Sequence, residues 1–237
     1  MPRPMPAGFK TAAFFIKPIL LGVTRRDWSG GENLPTDTGF IAVSNHMTYA
    51  DPFTLAHYLY DHGQAPHFLA KASLFDIPLA GRGLRGLDQV PVHRGSARAK
   101  DAVDAAAKLL QRGDSIAVFP EGTLTRDPEL WPMMARTGAA RMALDYDVPV
   151  VPIAQWGAQH LLDPYGKRPH LIPPKKVIVR AGAPVDLSEF RGPDRDIDTL
   201  RRATDRIMGS LTAMLEDIRG EKAPAVAWDM RREDGGR

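Results

Sequence analysis

The chain has 237 residues, of which 43% are hydrophobic and 25% are charged, so its composition is that of a globular protein with a substantial core. It has no cysteine, which excludes disulfides, zinc–thiolate sites, cysteine-ligated iron–sulfur clusters and thiol nucleophiles. The net charge of +3 is too small to indicate nucleic-acid binding without a concentrated basic stripe, and none stands out in the sequence. We therefore expect one globular domain without a nucleic-acid partner.

Residues 1–34 combine basic and apolar side chains. The first thirty residues contain one acid, Asp27, and five basic residues: Arg3, Lys10, Lys17, Arg25 and Arg26. Lys17 interrupts the apolar run, which is shorter than the roughly 20 residues that a membrane-spanning helix needs. The pattern predicts an amphipathic segment at an anionic membrane surface, and neither a transmembrane helix nor a cleaved signal peptide. The alternative is a helix that packs on the protein's own core.

A buried strand is predicted at 39–44, where a short apolar run lies between turn-forming residues. Residues 52–60 follow with helical apolar spacing, and Asp51 before Pro52 is typical of a helix N-terminus. His46 lies between these two elements, five positions before Asp51. A bend there would bring the imidazole and the carboxylate together, whereas positions five apart on one continuous helix point to different faces.

In the rest of the chain, short apolar runs alternate with amphipathic stretches. Further strands are predicted at 115–120, 148–154 and 176–181. Further helices are predicted at 96–112, 138–146 and 196–220. This alternation predicts an α/β fold, a single domain with a mostly parallel or mixed central sheet flanked by helices. We expect three parts, an N-terminal amphipathic segment over 1–34, the domain over 35–220 and a loose tail over 221–237.

The pair of His46 and Asp51 alone leaves two interpretations open, because a histidine near a carboxylate is often a hydrogen-bonded structural pair. A metal site is not expected, since none of the other six histidines supplies further ligands at suitable spacing. The pattern Gly81-x-Gly83-x-x-Gly86 matches a dinucleotide-binding fingerprint, but no convincing strand precedes it and a proline follows where a helix should continue. We expect a turn there and no bound nicotinamide cofactor.

Three other stretches accompany this pair. They are a block over 71–95, the segment Phe119-Pro120-Glu121-Gly122-Thr123, and the proline-punctuated run 148–153. In their order and approximate separation, these stretches and the segment Asn45-His46-x4-Asp51-Pro52 resemble the lysophosphatidate acyltransferases, which are HxxxxD glycerolipid acyltransferases. The resemblance covers roughly residues 35–190, and four ordered blocks make it specific.

The resemblance implies the glycerolipid acyltransferase fold and transfer of a fatty acyl group to the free hydroxyl of 1-acyl-glycerol-3-phosphate, which forms phosphatidate. The donor would be acyl-CoA or acyl-carrier protein, and no other cofactor is expected. His46 would remove the hydroxyl proton as general base, since histidine has a near-neutral pKa. Asp51 would fix the tautomer of the ring and stabilise the imidazolium that forms. Transfer would be direct, in keeping with the absence of cysteine and of a Gly-x-Ser-x-Gly elbow.

The resemblance also implies residues that bind the acceptor. Arg94 matches the family's phosphate-binding arginine, and Lys71 and Arg126 would assist it, because cationic side chains suit phosphate oxygens. The family's acceptor-binding motif matches three residues: Glu121, Gly122 and Thr123. Glu121 would bond the glycerol portion or orient Arg94, and the sequence does not separate these roles. Leu124-Thr125 replaces a more usual Arg-Ser, which alters the fine shape of the acceptor pocket.

Two other functions stay open. An enzyme of the same superfamily could acylate another lysophospholipid, a glycolipid or an amino-acid lipid. A membrane-binding structural protein could keep the fold without turnover, although the joint presence of His46, Asp51, Glu121 and Arg94 speaks against it. The partners expected are lysophosphatidate, an acyl thioester, an anionic membrane surface and, for one donor, acyl-carrier protein. We expect the protein at the cytoplasmic face of the cell membrane, as a peripheral or monotopic protein.

Overall fold

The computed structural model describes residues 4–93, 99–166, 168–192 and 196–230, and within these ranges seven strands form one sheet. The strands are β1 Thr24–Ser29, β2 Phe40–Ser44, β3 His67–Lys71, β4 Val90–Val92, β5 Ser115–Val118, β6 Val150–Trp156 and β7 Lys175–Ala181. Their order across the sheet is β1-β7-β6-β2-β5-β3-β4. Neighbouring strands are parallel except β6 and β7, which are antiparallel.

Six α-helices in the described residues flank this sheet. They are α1 Ala7–Val23, α2 Asp51–Asp61, α3 Pro78–Gly86, α4 Ala99–Gln111, α5 Gly138–Tyr146 and α6 Ile197–Arg219. Successive residues of β2 enter two hydrophobic clusters, Phe40 and Ala42 one cluster and Ile41 and Val43 the other. Both faces of the sheet are therefore covered, which explains why β2 is a continuous apolar run.

The α/β fold predicted from the sequence is confirmed. The four predicted strands correspond to β2, β5, β6 and β7, and the four predicted helices to α2, α4, α5 and α6. Helix α6 has the predicted ends, since the side chain of Asp196 accepts a hydrogen bond from Thr199 N at 2.7 Å and Gly220 closes the helix at a φ of 66°. The first three residues of the helix predicted at 96–112 lie outside the described residues.

Residues 81–86 do not form the turn that the sequence predicted, because they belong to α3. Pro78 occupies the first turn of this helix, where its missing N–H costs no hydrogen bond. Gly81 is required because a Cβ there would lie 2.0 Å from the carbonyl oxygen of Phe75. Gly81 thus permits close packing of this helix, whereas a Cβ at Gly83 or Gly86 would have no atom within 4 Å. The fingerprint pattern follows no strand of the Rossmann kind.

The sheet begins before the domain boundary that the sequence placed at residue 34, because all six residues of β1 pair with β7. No described helix is long and apolar enough to cross a membrane. Helix α1 packs on the domain through Phe9, whose ring meets that of His67 at 5.0 Å. In the C-terminal part, Trp228 O accepts a hydrogen bond from Met134 N at 2.9 Å, so this stretch contacts the domain, and residues 231–237 lie outside the described residues.

Candidate active site

His46 and Asp51 meet across the bend between β2 and α2. The imidazole Nδ1 of His46 lies 3.0 Å from Oδ2 of Asp51. The same oxygen accepts the backbone N–H groups of Met47 and Thr48, the latter at 2.8 Å, so the loop folds around the carboxylate. With Nδ1–H donating to Asp51, the second ring nitrogen of His46 is left as the proton acceptor.

The Asp51 carboxyl is fully buried at the first turn of α2. Burial raises its pKa, and the hydrogen bonds from His46, Thr48 and Met47 oppose that shift. Its position favours the charged form further, because the N-terminal end of a helix stabilises negative charge. The carboxylate is therefore held in one orientation beside the imidazole by hydrogen bonds from His46, Met47 and Thr48.

A buried amide network fixes the strand end that carries His46. Asn45 donates to Gln155 O and accepts from Gln155 N, both at 3.0 Å, which joins the end of β2 to β6. The Gln155 side chain donates to Ser44 Oγ at 3.2 Å and accepts from Thr54 Oγ1 at 2.7 Å. This network ties β2, β6 and α2 together around the bend, so the position of His46 depends on elements far apart in the sequence.

Glu121 links the bend to the loop that follows β5. Because β2 and β5 are parallel neighbours, with Val43 beside Val118, their carboxyl ends lie side by side. The Oε1 atom of Glu121 accepts the backbone N–H of His46 at 3.2 Å, and Oε2 accepts that of Met133 at 2.9 Å. The side chain is 1% exposed, and this burial raises the pKa of its carboxyl to about 8.

The ring of His46 stacks on Phe119, with the centroids 4.1 Å apart and the planes 18° from parallel. Phe119 in turn stacks on Phe68 of β3 at 6.0 Å. These contacts fix the ring in the wall of a cavity that Phe68 and Phe119 also line. One face of the His46 ring is thus covered by an aromatic side chain, and the His46 side chain is 14% exposed.

This cavity of about 820 Å³ extends from His46 between α1, α2, β3 and α3. One face of α1 contributes six residues at helical spacing: Phe9, Ala12, Ala13, Ile16, Lys17 and Leu20. Most of the other lining residues are apolar as well, among them Phe53, Ala56 and Leu84. Two histidines, His46 and His57, also lie in the wall. A largely apolar cavity of this kind suits a long hydrocarbon chain whose reactive end reaches His46.

The remaining predicted site residues are distributed unevenly. Gly122, Thr123 and Lys71 line the cavity together with His46. The Arg126 side chain is exposed and does not line it, and its backbone N–H is directed at Met133 Sδ. Arg94 lies outside the described residues, so the structure neither supports nor contradicts its predicted role. Among the described residues, no group of three histidine, aspartate or glutamate side chains could hold a metal ion.

A model of the family described as Acyltransferase matches residues 25–156, more than half of the chain. The chain belongs to this acyltransferase family. Its sequence is 35% identical over 140 residues to the chloroplastic 1-acyl-sn-glycerol-3-phosphate acyltransferase BAT2 of Brassica napus, a match that covers 58% of this chain and 39% of that protein. It is 31% identical over 129 residues to the 1-acyl-sn-glycerol-3-phosphate acyltransferase of Bacillus subtilis, a match that covers 53% of this chain and 60% of that protein. The matches thus span less than two thirds of the length of these relatives.

A solved structure extends the likeness over more of the chain. The crystal structure of the 1-acyl-sn-glycerophosphate acyltransferase PlsC from Thermotoga maritima superposes with a TM-score of 0.67 at 25% sequence identity. The match covers 91% of this chain and 81% of that protein. The resemblance found in the sequence is therefore confirmed at the level of the family and the fold.

Three features of this acyltransferase were missed by the sequence analysis. Gln155 lies just beyond the strand predicted at 148–154, and its role was not predicted because its partners Ser44, Asn45 and Thr54 are about 100 residues away. Phe119 belonged to a recognised motif, but an aromatic residue at a strand end predicts burial and not stacking on a particular ring. The role of α1 as a cavity wall was signalled by apolar residues at helical spacing, which also fit core packing or membrane contact.

Proposed function

We propose that this acyltransferase transfers a fatty acyl group from a thioester to the free hydroxyl of 1-acyl-glycerol-3-phosphate and so forms phosphatidate. The observation that carries the proposal is the His46–Asp51 pair, at 3.0 Å, in the wall of an apolar cavity large enough for an acyl chain. The named activity of its relatives from Brassica napus, Bacillus subtilis and Thermotoga maritima supports the choice of acceptor.

In the reaction, the unprotonated ring nitrogen of His46 accepts the proton of the acceptor hydroxyl as its oxygen attacks the thioester carbonyl. A carbon–oxygen ester bond forms and the carbon–sulfur bond breaks. The imidazolium then returns the proton to the departing thiolate, so the thiol leaves neutral. Asp51 stabilises the imidazolium through Nδ1 and keeps the ring in the productive tautomer. No acyl-enzyme is formed.

The acyl donor is acyl-CoA or acyl-carrier protein, whose chain would lie in the cavity beside α1. The phosphate of the acceptor would be bound by cationic side chains, for which the sequence offers Arg94, Lys71 and Arg126. Of these, Lys71 lies in the cavity wall. Gly122 and Thr123 lie in the same wall and would contact the glycerol portion. Glu121 would fix the backbone of the site through the hydrogen bonds that it accepts from His46 N and Met133 N.

The enzyme would work as a peripheral or monotopic protein on the cytoplasmic face of the cell membrane. Phe14 and Phe15 of α1 are 74% and 66% exposed, and Ile19 on the same helix is also exposed. Large apolar side chains beside lysine on an amphipathic helix favour insertion into the headgroup region of an anionic bilayer. This position would let lipid substrates enter a cavity whose wall is α1 itself.

A second candidate is acylation of a lysolipid without a free phosphate. Leu124 follows the acceptor-binding motif, is 2% exposed and lines the cavity, where it supplies an apolar contact in place of a cation. Such a wall would accommodate a neutral or zwitterionic acceptor. The two candidates differ in the acceptor alone, since both use the same base and donor.

The deciding experiment is acyl transfer by the purified protein from long-chain acyl-CoA, and in parallel from acyl-carrier protein. Lysophosphatidate, lysophosphatidylcholine and glycerol-3-phosphate are offered as acceptors, with His46→Ala as the control. Phosphatidate formed only by the wild type and only from lysophosphatidate supports the proposal. Equal rates with lysophosphatidylcholine would favour the second candidate. Product formed by His46→Ala would show that His46 is not the general base.

A further inference from the structure

Arg136 lies against the loop that forms part of the cavity wall beside His46. A methyl group added at Gly122 would lie 3.0 Å from Nε of Arg136 and 3.3 Å from its Cδ. The end of the arginine side chain therefore rests on the Cα of Gly122, a residue that lines the cavity together with His46. Gly122 also has a φ of 78°, so two independent constraints favour glycine at this position.

The backbone near Arg136 is fixed to the same loop. Arg136 N donates to Pro120 O at 2.9 Å, and Met133 N donates to Glu121 Oε2 at 2.9 Å. Glu121 uses its other oxygen to hold the backbone of His46. A short chain of hydrogen bonds thus fixes the arginine relative to the base, although 90 positions separate them in the sequence.

The charge of Arg136 is available to a ligand. Its side chain is exposed, and its guanidinium group forms no hydrogen bond or salt bridge with the described residues. Arg219 shows the contrast, because its guanidinium is covered by Trp131 and Trp156 and is bonded to Glu221. Arg136 is not itself a lining residue of the cavity, but it is an exposed cation that contacts the lining residue Gly122 and is held at its backbone by Pro120.

We propose that Arg136 binds the phosphate of the acceptor and makes the enzyme prefer phosphate-bearing acceptors over neutral ones. This inference rests on the proposed acyl transfer to lysophosphatidate. A phosphomonoester carries a charge of about −1.5 to −2, and a guanidinium can donate two parallel hydrogen bonds to it. The phosphate would bind beside Gly122, and the glycerol and acyl portions of the acceptor would contact the apolar wall at Leu124. The arginine supplies the cation that Leu124 does not.

The test compares binding of lysophosphatidate with binding of a monoacylglycerol that has the same acyl chain, below their micelle-forming concentrations. Equilibrium dissociation constants are measured in a His46→Ala background, so that no turnover interferes. Arg136→Gln and Arg136→Lys are added to this background. Arg141→Gln serves as the matched control, because Arg141 is an exposed arginine on α5, five positions away, and is not among the atoms nearest a Cβ at Gly122. Arg136→Met replaces Arg136→Gln if the latter does not fold.

We expect Arg136→Gln to weaken lysophosphatidate binding relative to monoacylglycerol binding by about tenfold or more, as loss of hydrogen bonds to a charged group implies. Arg136→Lys should restore part of this preference, and Arg141→Gln should leave the preference at the wild-type value. An unchanged preference in Arg136→Gln, or an equal loss in Arg141→Gln, would overturn the proposal.

The outcome is separable from that of the acyl-transfer assay. A preference for phosphate that depends on Arg136, in a protein that acylates no lysophosphatidate, would support the binding role and reject the proposed reaction. Formation of phosphatidate with an unchanged preference in Arg136→Gln would support the reaction and reject the binding role. The two hypotheses can therefore fail independently.

Discussion

The Nδ1 atom of His46 and the Oδ2 atom of Asp51 lie 3.0 Å apart across a bend, and Asp51 is completely buried. All three hydrogen bonds that Asp51 receives end on the same oxygen. An asparagine could keep those contacts with its single carbonyl oxygen, so the geometry would survive while the negative charge is lost. This relationship allows the role of the charge to be tested separately from that of the shape.

We predict that Asp51→Asn lowers kcat by roughly 10²- to 10⁴-fold and changes the KM for the acceptor by less than about threefold, because it disturbs the base and not substrate binding. Steady-state kinetics with lysophosphatidate measure both constants. Asp163→Asn is the matched control, since Asp163 and His170 form an exposed pair at the same distance of 3.0 Å. A kcat close to that of the wild type in Asp51→Asn would remove this residue from the mechanism.

The Asn45 side chain should contribute to both stability and turnover. Asn45→Ala leaves the backbone N–H and C=O of Gln155 buried without these two partners, and each such loss costs about 1–3 kcal/mol. We expect a free energy of unfolding lower by about 2–4 kcal/mol in urea titration, together with reduced kcat. Asn33→Ala removes one partly buried hydrogen bond to Ala181 O and should cost about 1 kcal/mol without affecting kcat. Similar losses in both variants would contradict the prediction.

Glu121 should make stability depend on pH. Its carboxyl has a folded-state pKa of about 8, above the ordinary value of 4.5, so between these values the folded protein binds more protons than the unfolded chain. Stability therefore falls as pH rises through this window. Glu121→Gln stays neutral, so we expect the Tm of the wild type to fall relative to that of Glu121→Gln between pH 5.5 and 8.5. A difference in Tm that is constant over this range would argue that Glu121 is ionised in the folded protein.

Features that depend on local sequence patterns could be predicted from the sequence, whereas features that depend on contacts between distant residues could not. The buried strands β2 and β5 are apolar runs with turn formers at their ends, so they were recognisable. Strand β1 was not, because it is an edge strand in which Thr24 alone is buried and the apolar alternation is absent. In the site, the spacing of His46 and Asp51 predicted their meeting. The part played by Glu121 could not be predicted, since its partners are backbone groups that only the fold brings together.

The exposed phenylalanines of α1 should control membrane binding. Truncation of residues 1–27 would also remove most of β1, which pairs with β7, so point variants test the helix more cleanly. We expect Phe14→Ser/Phe15→Ser to weaken cosedimentation with anionic vesicles by at least about tenfold, since burial of each ring is worth about 1.5–3 kcal/mol. Val226→Ser, at an exposed apolar position near the C-terminus, is the control. Equal binding by the double variant and the wild type would favour α1 as a wall of the cavity only.

His57 should destabilise the protein in acid. It lies in α2 beneath Trp28, with the two ring centroids 4.8 Å apart, and burial lowers its pKa from 6.5 to about 4 although Asp61 opposes the shift. The unfolded chain therefore binds more protons than the folded protein between pH 4 and 6.5, so stability falls as pH drops through this window. The nearby cations Lys17 and Arg26 also lower the pKa of His57.

We accordingly expect His57→Phe to be close to neutral at pH 7.5 and to raise the Tm relative to the wild type at pH 5. A buried phenylalanine preserves the aromatic contact with Trp28 and has no proton to gain. His170→Phe is the comparison, because it makes the same replacement at an exposed histidine. If both variants followed the wild-type Tm from pH 7.5 to pH 5, His57 would have to be protonated in the folded protein. In that case α2 would carry a buried positive charge between Lys17 and Arg26, balanced by Asp61 alone among the acids that contact this cluster in the described residues.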